Sequence, residues 1–353
     1  MSILIAILLF SFLIFIHEFG HFMAAKLSGV QVNEFAMFMG PAIFKKQVGE
    51  TLYSIRCIPI GGYCAMEGED GDSDNPRAFG KAAWWKRLII LVAGSAMNFI
   101  AGLLILLIVF APSKQLTVPV VAQIEEGCTI AGEYGIQVGD RFLKVDGERI
   151  YVQSDVSMLL ALNGGDVHDL VLERGGEKIY LNDFLMEKHE FTNEDGTTSL
   201  RYGFSFGTRE ATFGAKLGYV CNSAIDIVRT VRLSLGMLLT GKAGLGDVSG
   251  PVGIVQQISA TAASSESAYA ALLNILYFGA FIAINLAVMN MLPIPALDGG
   301  RVLCLLLTTG VEAVTRKKIN PKYEAYLHGA GMLVLLAFMA LVTFKDIFAI
   351  FKR

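Results

Sequence analysis

Four apolar runs constrain this chain more than any other feature of its sequence. Residues 3–16 (ILIAILLFSFLIFI) are apolar except for Ser11, and the helical pattern extends to about residue 26. Residues 88–111, 271–292 and 326–344 form three further runs, of which 271–292 is closed by Pro293 and Pro295. Each approaches the ~20 residues a helix needs to cross the hydrocarbon core of a bilayer. The composition agrees, with 54% apolar and 17% charged residues, where soluble domains carry about a quarter charged. No basic region precedes the first run and no small-residue cleavage site follows it, so it reads as a span rather than a secretory signal. The expected fold is a polytopic α-helical membrane protein with four transmembrane helices and a water-soluble insertion. A net charge of −3 gives no reason to expect a nucleic-acid partner. The five cysteines lack CxxC spacing and read as small apolar fillers.

Lysine and arginine set the expected orientation. Eight lie between the first two spans (Lys26, Lys45, Lys46, Arg56, Arg77, Lys81, Lys86, Arg87), and five between the last two (Arg301, Arg316, Lys317, Lys318, Lys322). Both loops are therefore expected on the cytoplasmic side of the cell's inner membrane. The N-terminus and residues 112–270 then fall outside, with Lys345, Lys352 and Arg353 as a mild counter-signal.

The chain divides accordingly. Residues 1–26 are the first span, and 27–87 a cytoplasmic or membrane-associated loop. Within it, 30–66 alternate apolar and polar with turn signals at Gly40-Pro41, Gly49 and Gly61-Gly62, which predicts one or two β-hairpins. Residues 67–76 (EGEDGDSDNP) form an acidic linker whose spacing does not fit a calcium loop. After the second span (88–111), residues 115–208 read as a small β-rich domain with a helical stretch at 153–163 and a Gly175-Gly176 hairpin turn. Residues 214–240 carry apolar positions at helical spacing, fitting a helix on the membrane surface or one packed on the soluble domain. The third span (271–292) precedes the LDG motif at 297–299, and the fourth occupies 326–344.

The chemistry concentrates in HEFGH, residues 17–21. Side chains four apart on a helix share a face, so His17 and His21 can present imidazoles to one Zn²⁺. Glu18 is placed to act as general base towards water and to return the proton to a leaving amine. A carboxylate inside a membrane helix costs about 2.5 kcal/mol or more, which makes it a functional candidate by default. A zinc site needs a third protein ligand. NMLPIPALDGG, residues 290–300, supplies Asp298 in a stretch expected to be unwound by its prolines. The first and third spans both run outside to inside, so HEFGH and Asp298 reach the cytoplasmic side at similar depth.

HEFGH together with NMLPIPALDGG resembles the site-2 protease family, and within it the bacterial regulator of sigma-E protease (RseP-type) branch. Further likeness lies in IPIGGYCAMEGED (58–70), WWKRLIILVAGSAMN (84–98) and SGPVGIV (249–255). EEGCTIAGEYGIQVGDRFLKVDGERI (125–150) resembles that branch's PDZ domain, of which one copy fits here. Gly94-Ser95 stands where the branch often has Gly-Pro. The resemblance implies an intramembrane zinc metalloprotease that cuts single-span membrane proteins, such as anti-sigma factors or signal-peptide remnants, commonly after a first cut by another protease. It implies His17, His21 and Asp298 as zinc ligands and Glu18 as the base. It also implies Asn285 and Asn290, with Pro293 beside them, as substrate-binding residues. The expected partners are single-span substrates, the lipid bilayer and a peptide ligand of the PDZ domain. An edge strand within 30–66 is a candidate for holding the substrate extended.

Overall fold

The computed structural model describes residues 2–351 except 70, 72, 126, 127, 163, 193–197, 249, 266 and 317–321. Asp70 and Asp72 of the acidic linker, Lys317 and Lys318 of the last loop, Ser249, Lys352 and Arg353 thus lie outside the described residues. In chain order the elements are α1 (Ser2–Ser28), β1 (Val32–Val48), β2 (Thr51–Met66), α2 (Trp84–Phe110), β3 (Gln115–Ile124), β4 (Arg141–Val145), β5 (Glu148–Arg149), α3 (Ser154–Leu162), β6 (Val167–Arg174) and β7 (Glu177–Leu185). There follow β8 (His189–Thr192), β9 (Thr198–Arg201), β10 (Phe204–Glu210), α4 (Phe213–Leu239), α5 (Pro251–Ala263), α6 (Ala268–Asn290), α7 (Asp298–Thr315) and α8 (Lys322–Phe351).

Two compact units emerge, one of residues 1–109 and 227–353, the other of 110–226. The first holds four helices long and apolar enough to cross a membrane: Leu4–Ser28, Trp84–Phe110, Ala268–Asn290 and Tyr323–Ala349. At 1.5 Å per residue, each exceeds the ~30 Å hydrocarbon thickness. In the last of these only 11% of the most apolar window is buried by protein. Its exposed Leu333, Val334, Leu336 and Phe344 suit contact with lipid tails.

The helix α1 is the hub of this unit. Ala6 packs with Ile258 of α5 and Ile275 of α6, and Leu13 with Ile282 and Ala283 of α6. Ala24 and Ala25 pack with Ile90 and Leu91 of α2, Val32 and Phe35 of β1, Cys64 and Met66 of β2, and Leu305 of α7. Such enclosure removes HEFGH from lipid, the environment in which its polar side chains are most costly.

The hairpin of β1 and β2 folds back on itself. Near its turn it pairs in ordinary fashion, Val48 with Thr51 and Phe44 with Ile55. Residues 34–37, however, pair with 62–65 on one side and with 52–55 on the other. Left-handed backbone at Phe38, Gly40 and Gly61 makes the bends, which the Gly-Pro and Gly-Gly pairs signal in the sequence. Residues 34–37 are thus interior, and among the described residues 62–65 pair with them alone. Exposed Met39, Ile43, Phe44, Ile55 and Ile58 line the far part of the hairpin. Its turn is tied down by Glu50, which accepts from Arg77 at 2.6 and 2.7 Å and from Lys26 at 2.7 Å.

The second unit is built on a sheet ordered β10-β3-β4-β6-β7, with β5 on β4. Phe142, Val121, Val145, Leu170, Leu172, Leu159 and Leu160 form its buried interior. In β6 alternate residues His168, Leu170 and Leu172 point inward, the period of a half-buried strand. Arg174 pairs with Glu177 across a turn whose Gly175 and Gly176 both have positive φ, as a two-residue hairpin requires. The fully buried Asp140 carboxylate is matched by Arg174 through two 2.7 Å bonds.

Two further helices depart from the sequence reading. Asp298 does not sit in unwound chain but opens α7, and the irregular stretch is confined to 291–297. The helix α5 begins at Pro251, within SGPVGIV, where a proline at the first helical position forfeits no hydrogen bond. Its start is capped by the buried Asp346 carboxylate of α8, which accepts from Gly250 N and Gly253 N, both at 2.9 Å.

Candidate metal centre

His17 and His21 lie one turn apart on α1 with ring centroids 4.8 Å apart and planes at 84°. Asp298 reaches them from the first residue of α7. Its Oδ2 is 3.2 Å from His17 Nε2 and 3.4 Å from His21 Nε2, and the two Nε2 atoms are 3.3 Å apart. These are one set of donor atoms converging on one point.

The protonation pattern makes the convergence meaningful. His21 Nδ1 lies 2.8 Å from the carbonyl of Ile90. A carbonyl only accepts, so Nδ1 carries the proton and the neutral ring turns the Nε2 lone pair inward. Asp298 Oδ2 is buried and has no hydrogen-bond donor. The His21 Nε2 lone pair therefore faces the Asp298 carboxylate, an arrangement that a cation between them relieves. Four donors at the 2.0–2.1 Å typical of Zn–N and Zn–O bonds in a tetrahedron are about 3.3–3.4 Å from one another. The three observed separations match that edge, and two nitrogens with one oxygen suit this metal.

Backbone design explains why the atoms meet. A Cβ on Gly94 of α2 would stand 2.3 Å from His21 Nε2 and 2.8 Å from His17 Cε1. A Cβ on Gly20 would stand 2.4 Å from the Ala93 carbonyl oxygen. Bare backbone on both helices permits this crossing, as small residues do in membrane bundles. On the Asp298 side, a Cβ on Gly299 would meet the Met291 carbonyl oxygen at 2.3 Å, and one on Gly300 the Ile294 carbonyl oxygen at 2.3 Å. The preceding loop curls tightly enough to hold Ala296 at φ 79°. Its amide donates to His328 Nδ1 of α8 at 3.0 Å. One turn beyond Asp298, Arg301 pairs with Glu69 from the segment after β2.

Glu18 lies beside the hairpin, where a Cβ on Gly62 would be 3.5 Å from its Cγ. Asn285 lines a cavity of about 620 Å³ together with Phe10, Met237, Ile254, Phe278 and Phe281. Asn290 ends α6, and Pro293 lies in the turn that follows. Among the described hydrogen bonds, none joins Asn285, Asn290 or Pro293 to the three converging residues. Sequence reasoning did not single out Ile90 or His328, and it named Gly94 only as a departure from the family's Gly-Pro. The signal available was GSAMN within an apolar span, since a glycine and an asparagine four apart mark a helix face with something to contact.

Comparison with known proteins agrees with this geometry. The profile of peptidase family M50 matches residues 5–338. The chain belongs to peptidase family M50, the site-2 proteases. A protein of Clostridium perfringens named as a zinc metalloprotease is 37% identical over 350 residues, covering 98% of each chain. A protein of Fusobacterium nucleatum, similarly named, is 32% identical over 357 residues and all of both chains. The regulator of sigma-W protease RasP of Bacillus subtilis is 27% identical over 435 residues, 99% of each chain. As an M50 member the chain is an integral membrane zinc metalloprotease, and its family supports a part in regulated intramembrane proteolysis.

Proposed function

We propose that His17, His21 and Asp298 hold the Zn²⁺ and that Glu18 is the general base, in an enzyme that cuts peptide bonds within the membrane segments of single-span proteins. The observation that carries this reading is the set of separations of 3.2, 3.3 and 3.4 Å among three converging donor atoms. Zinc at such a site supplies Lewis acidity, polarising the scissile carbonyl and making water a stronger acid. Glu18 takes the proton from that water and passes it to the amine of the departing strand. His21 keeps its orientation through Ile90, and Asp298 through the preceding proline-containing loop, which His328 of α8 holds at Ala296.

A membrane helix has all its amides bonded internally, so it must be opened before it is cut. Residues 62–65, paired on one side only among the described residues and with Gly62 beside Glu18, are suited to receive the opened segment as an added strand. Residues 34–37 of the same 30–66 segment are less suited, because they already have partners on both sides. In this reading Asn285, in its cavity, and Asn290 and Pro293, at the end of α6, bind the substrate. The cytoplasmic orientation of the loops at 27–87 and 297–325 follows their basic residues, and 115–208 act as a PDZ-like domain that takes a peptide end or screens bulky substrates. Anti-sigma factors or signal-peptide remnants are the substrate classes of this reading.

The test is Glu18→Gln in native membranes with a single-span reporter. Zinc content stays at the wild-type level while cleavage falls by at least the ~10²–10⁴-fold ascribed to a positioned base. Cleavage at the wild-type rate in that variant overturns the assignment.

A further inference from the structure

Every second partner of the two imidazoles comes from α2, and from one stripe of it. Ile90, Gly94 and Asn98 are spaced by four residues and share a helix face. Ile90 offers its carbonyl to His21 Nδ1 at 2.8 Å, Gly94 lets the rings approach, and the amide of Asn98 lies 3.4 Å from His17 Nδ1. Asn98 is 1% exposed in an apolar span, where a polar amide is retained at a cost unless it has a partner.

Its orientation carries the argument. Placed with Nδ2 towards His17, the Asn98 side chain leaves Oδ1 buried without a donor. That orientation also requires Nδ1 of His17 to accept, which puts the ring proton on Nε2, towards Asp298 Oδ2. The oxygen and nitrogen of a side-chain amide are nearly the same size and are assigned from their partners. Turning the amide by half a rotation gives Oδ1 a donor in His17 Nδ1–H and frees the Nε2 lone pair.

We propose that Asn98 is a positioning residue for the metal, its Oδ1 accepting from His17 Nδ1 so that His17 Nε2 stays a ligand. The inference rests on His17 being a zinc ligand, as proposed above. Asn98 then does for His17 what the Ile90 carbonyl does for His21, and α2 orients both rings without touching the metal. Such outer partners typically govern metal affinity 10–100-fold.

The experiment measures zinc affinity of the full chain in detergent micelles by competition with a chromophoric chelator, alongside melting temperatures with and without zinc. Asn98→Leu is expected to weaken zinc about 10–100-fold and to shrink the rise in melting temperature that zinc confers. A packing role would instead lower both temperatures together and leave the affinity alone. Asn98→Asp, which can only accept, is expected to keep near wild-type affinity. If Asn98→Leu does not insert or fold, Asn98→Asp decides by itself, since a residue needed as donor fails when replaced by a carboxylate. Unchanged affinity in Asn98→Leu, or lost affinity in Asn98→Asp, overturns the proposal. His21→Ala run in parallel separates the two levels: affinity retained there overturns the ligand assignment itself.

Discussion

Asp298 Oδ2 stands 3.2 Å from His17 Nε2, although 281 positions separate the residues in the chain. The carboxylate opens a helix and the imidazole lies deep in another, and each is held by backbone that leaves little freedom. Asp298→Ala is therefore expected to reduce zinc affinity by more than the 10–100-fold typical of an outer partner, with proteolysis falling in parallel. Asp298→Glu should do little better, because Gly299 and Gly300 fix the loop against Met291 and Ile294 and an added methylene has no compensating slack. Metal analysis of the purified variants checks both.

Gly94 has no room for a side chain. A Cβ there meets His21 Nε2 at 2.3 Å, and that ring is anchored at its other nitrogen by Ile90. Gly94→Ala should therefore displace an imidazole rather than be absorbed. Zinc occupancy and cleavage are expected to drop at least tenfold while the protein still inserts. A fully metallated, active Gly94→Ala protein would contradict so close a crossing of α1 and α2.

His328 holds the loop that precedes Asp298. Its Nδ1 is the acceptor for the Ala296 amide, and its Nε2 side faces Glu324 at 4.0 Å. His328→Leu leaves that amide without its acceptor, a loss of about 1–3 kcal/mol, and should lower thermal stability and loosen zinc. His328→Gln keeps an acceptor and should restore part of both. Ala296→Gly, which relieves a left-handed alanine, should be tolerated. Melting temperatures of the three variants order these effects.

Glu50 gives the hairpin a pH dependence. Hydrogen bonds from Arg77, and then from Lys26, hold its carboxyl at about 2, below the ordinary 4.5. A depressed folded value means that the stabilisation is fully present above about 4.5 and is lost as pH falls through about 2. Acidification across that window should expose the turn near residues 48–51 to pepsin. Glu50→Gln should leave the turn equally accessible at every pH, and a wild-type digestion profile in that variant would show that Glu50 does not hold the turn.

Much of this architecture is legible in the sequence because its signals are local. A span needs a run of apolar residues, and the four runs coincide with α1, α2, α6 and α8 to within a few residues. HEFGH declares itself because two side chains four apart on any helix share a face. The Gly-Gly turn after β6 requires positive φ at both residues, which glycine permits without strain. The doubling back of β1 and β2 was not legible. Gly40-Pro41 and Gly61-Gly62 announce bends, but which strand lies inside depends on pairing across the hairpin.

The sequence by itself determined that this chain spans a membrane, carries His17, Glu18 and His21 on one helix, and places Asp298 directly after a proline-broken stretch. The tertiary structure alone decided that Asp298 Oδ2 approaches both imidazoles, that Ile90 and Asn98 stand behind them, and that His328 supports the loop. The physical reason is the range of each cause. Helical periodicity and apolar run length act within a few residues, whereas the approach of α2 and α7 to α1 depends on glycines whose missing side chains matter only once a distant backbone lies against them.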